Sequence, residues 1–145
     1  MRIQKKSIAD DKIYRFASKI FDDAIFRFPM PLKFEVVEFH LRDSTFGLGA
    51  GSTAIICIDH DSPFLRDLDE KGTRALITRQ LFKAVLGTED DIETNKVMAR
   101  NGYYDDLFYL YYVHTVETKE DCMDAVRPAL NNKDDLNFIK SAMRA

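Results

Sequence analysis

The stretch GTRALITRQLFKAVLG, residues 72–87, decides how the rest of the chain is organised. Apolar residues cover most of its helical circumference, as in a buried helix, and leave one narrow polar stripe. The spacing predicts a helix over 73–86, closed by Gly87 as C-terminal cap. At about 100° per residue, Lys83 stands about 40° from Arg79 and Gln80 about 100° from it. Those three polar side chains share one arc, while Ile77, Leu81, Ala84 and Val85 point elsewhere. Arg79 and Lys83 are one turn apart and repel unless something offsets the charge. Two environments fit the stripe. One is water, which makes it the solvent face of a core helix. The other is a cleft, in which an acid or an anionic ligand meets the two cations. The nearest acids in sequence are Asp90, Asp91 and Glu93.

Composition narrows what surrounds this helix. A chain of 145 residues fits one domain with a proper core, and 46% hydrophobic with 31% charged residues is the balance of a soluble globular protein. A net charge of −3 lacks the basic footprint of a nucleic-acid binder, so no nucleic acid is expected as partner. No run reaches the ~18 apolar residues of a membrane span. MRIQKKSIADDK at the start has charge but no apolar segment of the kind a secretory signal needs. Cys57 and Cys122 share no metal-type spacing and read as reduced core cysteines of a cytoplasmic protein.

Upstream of the central helix, Ser7 is expected to cap a first helix. Ile13, Phe16, Ala17, Ile20, Phe21, Ala24 and Ile25 give that helix one apolar face, and Pro29 and Pro31 end it. KFEVVEFHL at 33–41 alternates as a strand, with a slip of parity between Val36 and Val37 that predicts a bulge or burial on both faces. GLGAG at 47–51 is not a phosphate loop, because it leads into the β-branched run STAIICI at 52–58 instead of a helix; a hairpin is expected. Asp59-His60-Asp61 reads as a solvated turn, since consecutive side chains converge on an ion only where the backbone turns sharply.

Downstream, Thr88 is expected to cap a helix running to about Arg100, with Glu89, Asp90 and Asp91 in its first turn and Asn101-Gly102 at its end. A helix over 103–113 follows, then two more near 119–132 and over 134–143. A helix, two or three strands and then five helices predict an α+β fold, with helices packed on a small antiparallel sheet, in a single domain 1–145. His40, His60 and His114 are too dispersed to build a metal site. There is no G-x-S-x-G elbow, and Cys57 sits inside an apolar strand. No catalytic residue, metal or cofactor is expected.

The i, i+4 spacing on a buried helix also carries a resemblance. ALITRQLFKAVLG resembles the active-site helix of zincin-type metalloproteases, in which HExxH supplies two zinc ligands and a general base. Arg79 then stands at the first histidine, Gln80 at the glutamate and Lys83 at the second histidine. TAIICIDHDSP is similar to the edge-strand region bordering the cleft. Residues 91–110, DIETNKVMARNGYYDDLFYL, resemble the helix that supplies the third ligand in gluzincins, with Glu93 at that position. The resemblance runs from Phe34 to Tyr112 and is closest to the minimal gluzincin-like proteins of archaea. It implies a zincin-like fold with a helical C-terminal half. It also implies that the chemistry is lost, because the diagnostic residues are the ones that differ. The expectation is a non-catalytic protein on a degenerate metalloprotease scaffold, with Arg79 and Lys83 paired with Glu93 or a neighbouring acid in the former metal site. Its function would be binding a peptide or protein partner. The alternative is an unrelated α+β enzyme or binding protein that holds an anionic small molecule between Arg79 and Lys83.

Overall fold

The computed structural model describes residues 1–8 and 11–113, with the side chains of all of these except 108 and 111–113. The helices expected near 119–132 and over 134–143, together with Cys122 and His114, lie outside the described residues. The chain divides into two compact units, Met1–Glu89 and Asp90–Ala145.

The first unit is α+β. Its elements are β1 (Arg2–Ser7), α1 (Asp11–Arg27), β2 (Val36–Arg42), β3 (Phe46–Ala50), β4 (Thr53–Asp59), α2 (Pro63–Arg66) and α3 (Glu70–Leu86). The four strands form one sheet in the order β1-β2-β4-β3. Strands β1 and β2 pair parallel, as do β2 and β4, and only β3 runs antiparallel to β4. The sheet is therefore mixed, not antiparallel throughout. The difference comes from β3, which lies outside β4 and leaves β2 parallel to β4, and from β1, which the sequence does not mark as a strand. RIQKKS has one apolar residue, so no period of two marks it, and its place in the sheet comes from ladder bonds to β2. Ser7 is the last residue of that strand.

Residues paired across a ladder share a face of the sheet. Val37, Phe39 and Leu41 of β2 and Ala54, Ile56 and Ile58 of β4 are all buried on the face that meets α1 and α3. Ala17, Ile20, Phe21 and Ala24 are the buried face of α1, and Phe21 stacks on Phe39 with ring centroids 4.3 Å apart and planes 13° from parallel. The ladder through β2 is continuous, so the expected bulge is absent. Phe34 lies before the strand and places its ring beside Gly49, which removes the slip of parity.

Helix α3 begins earlier than its apolar pattern. Asp69 is the N-cap, its carboxylate accepting from Gly72 N at 3.1 Å. Gly72 is thus inside the helix, where a Cβ would run into the Phe64 ring of α2. Gly87 closes α3 at φ +67, as expected, donating to the Lys83 carbonyl.

In the second unit, α4 (Asp91–Arg100) and α5 (Tyr104–Val113) are described. The cap of α4 is Asp90, whose carboxylate accepts from Ile92 N at 2.9 Å, not Thr88. Asp90 immediately precedes the first helical residue, the position from which a short carboxylate reaches the second helical amide. Asn101-Gly102 ends α4 as expected, with Gly102 at φ +87. Among the described residues of this unit, Met98, Ala99, Leu107 and Leu110 are buried and apolar.

Candidate functional site

Strand β3 lies at the rim of the sheet and runs along α3. The sequence reading expected TAIICIDHDSP to border the cleft, but its strand, β4, is internal, between β2 and β3. The bordering strand is FGLGA. Its glycines recur at every second position, so Gly47 and Gly49 share the face toward α3. A Cβ on Gly47 would fall on the Gln80 carbonyl oxygen, and one on Gly49 on the Ala84 carbonyl oxygen. The glycines let a strand lie directly on a helix backbone. Two glycines two apart beside aliphatic residues were the signal for this in the sequence, and the hairpin reading passed over it.

The hairpin itself is present. Gly51 and Ser52 connect Ala50 to its partner Thr53. Gly51 sits at φ +59 and Ser52 is not left-handed, the pattern of a type II′ turn. In such a hairpin the residues flanking the turn exchange both ladder bonds, and outward-facing residues alternate with them. Ala50 and Leu48 therefore bond to β4, while Gly49 and Gly47 turn their backbone N–H and C=O away from it. Gly47 is buried, Gly49 half-buried, and Leu48 is 48% exposed. The two rims of the sheet differ in charge. Strand β1 carries Arg2, Lys5 and Lys6, which discourage a further strand, and β3 carries no charge.

Beside β3 is a pocket of about 60 Å³, lined by Gly47, Leu48 and Gly49 with Lys83, Gly87 and Thr88, and by Glu89 at its rim. Of the site residues expected from the sequence, α3 carries Arg79, Gln80 and Lys83, and of these Lys83 lines that pocket. Arg79 is half-buried, Gln80 is 3% exposed and Lys83 is 8% exposed. A solvent-facing stripe does not describe Gln80 and Lys83. Gln80 Oε1 is buried and accepts no hydrogen bond among the described residues. Such an acceptor costs roughly 1–3 kcal/mol, which is why it marks a site worth explaining. Glu93 is an exposed residue of α4, in the second unit.

The outer face of the sheet holds a polar chain. Lys6 Nζ donates to Glu38 Oε1 at 3.1 Å, and His40 Nε2 lies 3.1 Å from the same oxygen. Arg42 Nε donates to His40 Nδ1 at 3.1 Å. An arginine nitrogen only donates, so Nδ1 carries no proton and Nε2–H donates to Glu38. Lys6, then His40, hold the Glu38 carboxyl below its ordinary range. A depressed carboxyl contributes stability above its ordinary pKa and loses it as pH falls through the depressed one. Glu38→Gln is expected to cost about 0.5–1 kcal/mol at neutral pH, a cost that disappears in acid. Urea unfolding of both proteins across the acid range checks this. Cys57, on the same face, is buried with Sγ 3.2 Å from the Ser44 carbonyl, and burial pushes its thiol up, as suits packing and not nucleophilic attack.

Asp59, His60 and Asp61 do converge, with one ligand-type atom from each within 4.8 Å of the others. A turn accounts for it. Asp61 N donates to Asp59 Oδ1 at 2.9 Å, and His60 Nε2 is engaged by Asp43 at 3.0 Å. Among the described residues, no helix is long and apolar enough to cross a membrane. No family model, curated protein or solved structure matches the chain.

Proposed function

We propose that this chain is a non-catalytic, zincin-like protein that holds an extended peptide or a segment of a protein partner along the rim of β3. The observation that carries the reading is Gly49, whose backbone groups turn outward from an uncharged strand end, beside a pocket over α3. A strand added there completes backbone hydrogen bonding without needing any particular side chain.

The donor set of α3 supports the loss of catalysis. A zincin would hold zinc over this helix, and these residues do not fit it. The Arg79 guanidinium stays protonated and offers no lone pair, and Lys83 would ligate only when neutral. Gln80 has no carboxylate to take a proton from water, and its amide oxygen is buried without a partner among the described residues. The anion-binding alternative is less well supported, because the pocket that Lys83 lines also carries the Glu89 carboxylate.

The test joins two measurements on the full chain. Metal analysis of the purified protein is expected to find no stoichiometric zinc, and peptide mixtures incubated with it are expected to stay uncut. Stoichiometric zinc or peptide cleavage, lost in Glu93→Gln, would overturn the reading.

A further inference from the structure

The geometry points to the sequence class of the segment: an apolar–small–apolar triplet, its central residue paired with Gly49. This rests on the peptide-binding reading above and specifies what that rim selects.

The pairing follows from the ladder. Gly49 N–H and C=O face outward together, so one residue of an added antiparallel strand exchanges two hydrogen bonds with it. Paired residues share a face, so the side chain opposite Gly49 points to the α3 side. There it meets the pocket of about 60 Å³ beside Lys83 and Gly87. A cavity of about 150 Å³ is the size that admits a benzene ring. Alanine or serine fits the smaller space and phenylalanine does not. The neighbours on either side of that residue point to the other face of the sheet, beside Leu48 and Ala50, both exposed. An apolar side chain next to Leu48 covers a leucine that is otherwise in water.

The occupant is a segment and not the sheet of a second copy. Adjacent strands are about 4.8 Å apart, while a helix with its side chains is about 10 Å across. Helix α3 lies against the backbone of β3 itself. Two copies joined rim to rim would bring two such helices into the same space.

Isotope-labelled full chain is titrated with capped five-residue peptides, serine at each end and Val-Ala-Val between, and amide shifts are followed by NMR. The expected result is a saturable shift at the Gly49 amide, with affinity at least tenfold lower when the alanine is phenylalanine. N-methylation of the alanine is expected to abolish binding, since that nitrogen faces Gly49, and N-methylation of a valine to leave it. Equal affinity for the alanine and phenylalanine peptides, both lost on N-methylation, overturns the triplet and leaves the rim reading standing. No shift at Gly49 with any peptide at millimolar concentration overturns both. Leu48→Asp, at an exposed position, is expected to weaken the Val-Ala-Val peptide at least tenfold while the protein stays folded, and unchanged affinity counts against the triplet.

Discussion

Phe39→Ala is expected to destabilise the protein by about 3–5 kcal/mol, the range for deleting a large buried ring. Phe39 has no exposure, lies in the middle of an internal strand and stacks on Phe21 of α1. The loss therefore combines transfer of the ring to water, a cavity between sheet and helix, and the missing ring–ring contact. Neighbours on β2 and β4 are fixed by their ladders and have little freedom to collapse into the space. A domain is commonly stable by only ~5–15 kcal/mol, so the variant is expected to unfold at much lower urea concentration with an unchanged slope. A cost below about 1 kcal/mol would mean that α1 does not pack on this face.

Gly47→Val is expected to cost about 3 kcal/mol or more, at and beyond the upper end of ordinary overpacking. The new Cβ falls on the Gln80 carbonyl oxygen, and neither the strand nor the helix backbone has a flexible atom to move aside. Relief requires β3 to lift from α3, which also opens the pocket. Gly51→Ala serves as the control. That glycine has φ +59 and nothing near the Cβ position, so its cost is the left-handed backbone alone, about 1 kcal/mol. Thermal unfolding of the two variants separates close approach from backbone preference. Equal costs would show that Gly47 is there for its conformation and not for contact.

Those two residues also mark where sequence and structure part. Phe39 was legible, since alternation along β2 names its buried face once the strand starts at Val36. The same holds for α1 and α3, whose apolar residues recur at helical spacing and whose ends carry proline and glycine signals. Strand β1 was not legible, because edge strands need little apolar surface and RIQKKS has little. Without it, the parallel pairing of β1 with β2 could not be anticipated. The site was half legible. Arg79, Gln80 and Lys83 stood out by type and spacing, but whether they meet water or protein depends on what lies over α3. The strand beside them was hidden for the opposite reason. Glycines carry no hydrophobic signal, and the purpose of Gly47 and Gly49 is visible only with the helix backbone beneath them.

The unequal rims of the sheet have a consequence for stoichiometry. A sheet open on both sides can pass strand pairing from one molecule to the next without end. Here one rim is guarded by Arg2, Lys5 and Lys6, and the other is uncharged and lies beside a pocket of about 60 Å³. Under the proposed binding mode, recognition through this sheet stops at one segment per molecule, and the expected complexes are one-to-one and do not propagate into fibres.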